Sequence, residues 1–256
     1  MKAAQHSPKA SKNILVKFIP HSGFCSRRKA EALIKAGEIS INNFVMQDPT
    51  YEVQAKDTVR YKKQIITAPK EEETDFVYLV LNKPANTLCT AHDPEGRPTI
   101  FDLIKHPKLK HVRLYNVGRL DRNTTGAIII TNDGALAQRM THPSFEVKKT
   151  YAVTLHKPLT EEKIEQIKGG VQLEDCFVRV DKIEPTGSRN SPTVFVTIHS
   201  GKNRIIRRIF EQMGFFVEKL DRVAFGPISK KGLAAGEARF LTKKEIAALQ
   251  ELFLKT

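Results

Sequence analysis

Residues Ala127-Ile128-Ile129-Ile130 form an uninterrupted apolar run between Thr124-Thr125-Gly126 and Asn132-Asp133-Gly134. A short run of this kind, bounded by turn signals, predicts a strand in the core. Further strand patterns occur at Phe76 to Leu81, ended by Asn82-Lys83-Pro84, and at Thr87 to Thr90, Thr150 to Leu155, Phe177 to Ile183 and Thr193 to Ile198. Between them the apolar spacing becomes helical. After the turn Asp93-Pro94-Glu95-Gly96-Arg97, Thr99 caps a short helix through Ile104, and Asn132 or Asp133 caps one that reaches Thr141 before Pro143. Thr160, followed by Glu161 and Glu162, opens a helix that ends at Gly169-Gly170. Another runs from Asn203 to Gly214 on Ile205, Ile206, Ile209, Phe210 and Met213. Thr242-Lys243-Lys244-Glu245 reads as a capping box before Ile246, Leu249 and Leu252. This irregular alternation, with hairpin-like neighbours, predicts an α+β fold with a mixed, mainly antiparallel sheet flanked by helices, not a doubly wound one. No internal repeat is evident.

The N-terminal part is patterned separately. Residues 1–12 are polar and basic and predict a disordered tail, and Ile14 to Pro20 reads as a short apolar turn. Ser26 is a good N-cap and Gly37 a good stop for a helix that buries Ala30, Leu33 and Ile34. Strands follow at Ile39 to Ile41, Phe44 to Met46 and Thr58 to Tyr61, the first two joined by Asn42-Asn43, a hairpin signal. Residues 67–75, with Pro69-Lys70-Glu71-Glu72-Glu73 among them, read as a linker between a domain at 13–66 and a larger one at 76–256.

Charge identifies the class of partner. The chain has 256 residues, a net charge of +14 and a pI near 9.7, which favours nucleic acid over anionic membrane. Residues 1–70 hold 13 Lys and Arg against 5 Asp and Glu, so more than half the excess lies in about a quarter of the chain. Arg27, Arg28 and Lys29 occupy a first helical turn, where the dipole disfavours cations by a few tenths of a kcal/mol each. Contact with nucleic-acid phosphate would explain why such a penalty is tolerated, the alternative being a merely solvated basic turn.

Other classes recede. Cys25, Cys89 and Cys176 have no metal-ligand spacing and do not make a disulfide framework, so a cytoplasmic, reducing setting is expected. There is no signal-peptide pattern at the N-terminus and no run of about 18 apolar residues, so neither secretion nor membrane insertion is expected. The eight histidines are scattered, and Walker, dinucleotide and zinc-helix signatures are missing. No metal and no cofactor is expected, and the chain is expected to act as a monomer.

Two stretches suggest chemistry. Asp121 lies between Arg119 and Arg122 beside the apolar run, a charged loop on a rigid scaffold. Arg204, Arg207 and Arg208 have the spacing of one helical face, a source of cations for a deeply placed Asp121.

Residues from about Leu15 to Tyr61, with Cys25-Ser26-Arg27-Arg28, Ala36-Gly37 and the small hairpin, resemble the S4-like RNA-binding domain. Gly118-Arg119-Leu120-Asp121 with Thr124, Gly126 and Thr131-Asn132-Asp133-Gly134 is similar to the catalytic motif of the ribosomal-RNA pseudouridine synthases of the RsuA-like branch. Leu81-Asn82-Lys83-Pro84, Gly96-Arg97-Pro98-Thr99, Lys149-Thr150-Tyr151 and Gly201-Lys202-Asn203-Arg204 leading to Arg207-Arg208 follow in the order of that family. The resemblance implies isomerisation of a uridine in ribosomal RNA or a pre-ribosomal particle. Asp121 would be catalytic, Tyr151 would stack on the uracil, and Arg207 would pair with Asp121. Leu220 would pack near the base, with Arg119, Arg204, Lys202 and Lys83 on the substrate side and Arg27, Arg28 and Lys29 facing RNA.

Three positions depart from the family pattern. Ala85-Asn86 replaces a Lys-Gly-like pair, Ile205 a glutamine-like residue, and Ala127-Ile128-Ile129-Ile130 a leucine-rich run. The first two bear on RNA contacts. The reading from another class is a catalytically silent ribosome-binding or assembly protein using the same surfaces.

Overall fold

The computed structural model describes residues 14–67, 76–110, 112–187 and 191–254. The expected tail and most of the expected linker fall outside them. The chain forms two compact units, Met1–Asp75 and Phe76–Thr256.

In the first unit, α1 (Leu15–His21) and α2 (Arg27–Lys35) accompany four short strands, β1 (Ile39–Ile41), β2 (Phe44–Val45), β3 (Val59–Tyr61) and β4 (Gln64–Ile66). The antiparallel order is β2-β1-β3-β4. Ile14 to Pro20, read as a turn, belongs instead to α1, because Leu15, Val16 and Ile19 lie on one side and are buried together. Ser26 caps α2 through the Lys29 amide at 3.2 Å. Asn42 and Asn43 both take positive φ, 52° and 73°, the backbone that a tight two-residue hairpin requires and that asparagine tolerates. The core joins Leu15, Ile19, Ala30, Ile34, Ile39 and Val59.

The second unit is a sheet with helices. Its strands are β5 (Tyr78–Lys83), β6 (Tyr115–Val117), β7 (Thr125–Thr131), β8 (Lys149–Leu155), β9 (Val171–Gln172), β10 (Phe177–Val178), β11 (Lys182–Pro185), β12 (Thr193–Ile198), β13 (Val217–Phe225), β14 (Ile228–Ser229) and β15 (Ala238–Phe240). The helices are α3 (Gly134–Thr141), α4 (Glu161–Gly169), α5 (Ile205–Gln212) and α6 (Lys243–Glu251). The main sheet runs β11-β12-β8-β13-β7-β5-β15, with β14 on β13 and β6 on β7, while β9 and β10 pair with each other. Among these pairings only β13 with β7 is parallel; the sheet is therefore mixed and mainly antiparallel, as the pattern predicted.

Strand β7 is covered on both faces. Ala127 and Ile129 enter one core with Tyr78, Val80 and Phe225, while Ile128 and Ile130 enter another with Leu79, Leu81 and Ile100. This explains its unbroken apolar run. A third core packs Val153, Val196, Ile206, Phe210 and Leu220 between β8, β12, β13 and α5. The approach of β13 to β7 needs Gly126, whose φ is +110°, since a Cβ there would lie 2.2 Å from the Arg222 carbonyl oxygen.

Several predicted elements change. Thr87 to Thr90 is not a strand: Leu88 makes one isolated bridge to Thr99. Phe177 to Ile183 divides, because β10 turns back onto β9 whereas β11 joins β12. Strand β5 continues through Asn82 and Lys83, which hold register with Ala127 and Gly126.

Candidate active site

Asp121 lies in the loop between β6 and β7. Its side chain is 42% exposed, so it is not the deep carboxylate expected. It shares a cleft of about 320 Å³ with Arg122, Asn123, Arg204, Arg207 and Glu218. Two distant segments meet here: the loop before β7 and the start of α5, joined by the first residues of β13.

The ion contact at Asp121 is made by Arg204, Nη1 to Oδ2 at 3.6 Å, and not by Arg207 as expected. Arg204 stands at the N-cap of α5 in the left-handed conformation, φ 48°, a strained backbone for a side chain of its size. Arg207, one turn into the helix, donates from Nη1 to the Val217 carbonyl at 2.7 Å and so ties α5 to β13. Burial lowers its pKa, the Arg204 charge adds to this, and the Asp121 carboxylate opposes it. Arg208 does not share their direction: it pairs with Asp175, in the turn between β9 and β10. The three arginines therefore do not form one basic face.

Lys83 is also placed differently from the substrate-side position expected of it. It is fully buried, and its ammonium donates to the carbonyls of Pro84 at 3.0 Å, Arg122 at 3.0 Å and Thr124 at 2.8 Å. An ammonium has three donors, and all three are taken by backbone, leaving none for a ligand. Burial lowers the Lys83 pKa against the opposing effects of Cys89 and Asp121. The same loop is held from a second side, where Cys89 Sγ accepts from the Leu120 amide at 3.4 Å.

Tyr151 and Leu220 are brought together. Tyr151 on β8 lies opposite Arg222 of β13, is partly buried, and packs against the core that contains Leu220, Ile205 and Ile206. Lys202 and Arg119 are exposed. Ile205, in place of the glutamine-like residue, is buried in that core. Asn86 adopts φ 59°, the conformation that the glycine-like residue of the family pattern would supply at no cost. In the first unit, Arg27, Arg28 and Lys29 are all exposed on the first turn of α2.

Some residues of this region were not legible in advance. Glu218 puts a second carboxylate on the cleft wall. Arg222 is buried, donates from Nε to the Ala127 carbonyl at 2.7 Å and lies over the Phe225 ring at 4.6 Å. Asp221 accepts from Thr125 Oγ1 at 2.6 Å and from Lys230 Nζ at 2.7 Å, bracing the parallel pair of strands. Polar and apolar residues do not alternate along β13, so no strand is read there and nothing local shows which polar residues turn inward. Among the described residues no cluster of His, Cys, Asp or Glu is placed to hold a metal ion, and no helix is long and apolar enough to cross a membrane.

Known proteins resemble this chain along most of its length. The RNA pseudouridylate synthase family matches residues 77–212, and the S4 domain matches residues 15–59. Ribosomal large subunit pseudouridine synthase B of Vibrio cholerae serotype O1 is 39% identical over 240 residues, covering 93% of this chain and 74% of that protein. The protein of the same name from Bacillus subtilis is 34% identical over 242 residues, covering 93% and 96%. A crystal structure of a pseudouridylate synthase superposes with a TM-score of 0.65 at 29% identity, covering 92% of this chain and 98% of that one.

Proposed function

This chain belongs to the RNA pseudouridylate synthase family, and we propose that it isomerises one specific uridine of large-subunit ribosomal RNA, with Asp121 as the catalytic carboxylate. The observation that supports this most directly is the placing of Asp121. It stands on a loop pinned by the buried Lys83 and meets Arg204 at 3.6 Å in an arginine-walled cleft. The names of the similar Vibrio and Bacillus proteins supply the large-subunit assignment.

The reaction conserves every atom: the N1–C1′ bond breaks, the base turns, a C5–C1′ bond forms, and a proton leaves C5 while N1 gains one. A base that must be freed and rejoined has to leave its stack and remain captive. Tyr151 and Leu220 provide apolar surface for the uracil, and Arg204 and Arg207 supply positive charge beside Asp121 and the sugar-phosphate chain. Glycosidases use two carboxylates, one of which in the inverting case activates water. In this reaction water attack on the sugar would be a failure, so Asp121 acts on the glycosidic linkage itself, with the Arg204 guanidinium 3.6 Å from its carboxylate. Arg119 and Lys202 contact RNA from the exposed flanks, and Arg27, Arg28 and Lys29 bind phosphate. The protein works as a monomer in the cytoplasm.

The test is chemical mapping of pseudouridine in ribosomal RNA incubated with wild-type protein or with Asp121→Asn. The expected result is one modified uridine with wild type and none with the variant, RNA binding being largely kept. Equal modification by the two proteins would overturn the assignment; no modification by either would favour a silent binder.

A further inference from the structure

Phe215 and Phe216, at the entrance to β13, part company. Phe215 is buried in the core beside α5, whereas Phe216 is 70% exposed. Burying such a ring is favourable, and here most of that gain is forgone. The exposed ring is nevertheless rigidly mounted. The Phe216 amide donates to His156 Nδ1 at 3.0 Å, and the His156 amide donates to the Phe216 carbonyl at 3.1 Å. The His156 ring stands edge-on to Phe216 at 5.4 Å. The next residue, Lys157, holds its ammonium 5.2 Å from the Phe215 ring.

This surface adjoins the cleft. Val217, one residue on, receives the Arg207 hydrogen bond, and Glu218, two residues on, lines the cleft with Asp121. From this geometry we infer that Phe216, edged by His156, is a stacking platform for an unpaired base of the RNA substrate next to the target uridine. The inference rests on the RNA-modifying reading of the cleft. Extruding one base removes a stacking partner from its neighbours, and an aromatic face at the rim replaces it. Lys157 and the exposed Lys219 suit the accompanying phosphates, in keeping with the net charge of +14. The platform costs little entropy, since its backbone is already clamped.

The experiment measures binding of protein-free ribosomal RNA, transcribed in vitro, to the full chain carrying Phe216→Ala, Phe216→Leu or Phe216→Tyr. A base stacked on an aromatic ring contributes about 1–3 kcal/mol, so Phe216→Ala weakens affinity roughly tenfold, Phe216→Tyr restores it and Phe216→Leu does not. Thermal melting of all three matches wild type because the ring is already in water. Affinity of Phe216→Ala equal to wild type would overturn the platform. Rescue by Phe216→Leu would overturn stacking in favour of simple apolar contact. A loss seen only with protein-containing ribosomal particles would mean that the ring meets protein. Because the readout is affinity, its failure is separate from a failure of Asp121→Asn to abolish modification.

Discussion

Lys83 Nζ and the Thr124 carbonyl oxygen lie 2.8 Å apart in the interior of the second unit, joining the end of β5 to the residue that precedes β7. With the bonds to Pro84 and Arg122, one buried side chain ties the end of β5 to the backbone that follows Asp121. Lys83→Met keeps most of the volume but leaves those carbonyls without a donor, at a cost of about 1–3 kcal/mol for each group left unpaired. The expected result is a urea midpoint lowered by the equivalent of at least about 2 kcal/mol, together with pseudouridine formation that falls far more than RNA affinity. Affinity and rate falling in proportion would show that Lys83 meets RNA after all.

Lys149 gives a pH signature. Burial and the neighbouring Arg222 charge lower its pKa to about 8, with Asp181 opposing, while its ammonium donates to the His199 carbonyl at 2.7 Å. An unfolded lysine titrates near 10.5, so between about pH 8 and 10.5 the unfolded chain binds the extra proton. Stability therefore rises with pH through this window, and below it the cost of the buried charge is fully present. Urea unfolding of Lys149→Met across the same window should show a flatter dependence than wild type. Parallel curves for the two proteins would contradict the depressed value.

The first turn of α2 is a prediction about salt. Arg27 and Arg28 are exposed there with no acid in the turn, and each phosphate contact adds about 0.9 to the slope of log affinity against log salt on duplex and about 0.7 on single strands. The double variant Arg27→Ala with Arg28→Ala should weaken binding to ribosomal RNA and lower the slope by roughly 1.5. An unchanged slope would remove this helix from the RNA surface.

The departures from the sequence reading share one cause. Ser26, Asp133, Thr160 and Thr242 cap their helices as read, since a cap is satisfied within three residues. Asn42-Asn43 turns as read, because positive φ is a local property. Arg204, Arg207 and Arg208 share a helical spacing, yet one meets Asp121, one a carbonyl of β13 and one Asp175. Their partners lie on segments 33 to 83 residues away for the two acids and 10 for the carbonyl, beyond any local pattern.

The sequence by itself determined the class of elements, the buried β7 and the basic N-terminal helix, because periodicity, capping and charge are written within a few positions, and its resemblance to a known family singled out Asp121 as the residue to test. Only the tertiary structure decided that Arg204 stands nearest that carboxylate, that Lys83 faces the backbone instead of the cleft, and that Phe216 is left in solvent beside it. The first depends on the seating of α5 beside the Asp121 loop, the second on the pairing of β5 with β7 and the third on the entry into β13, and the direction of a side chain at such a junction is set by packing between distant segments.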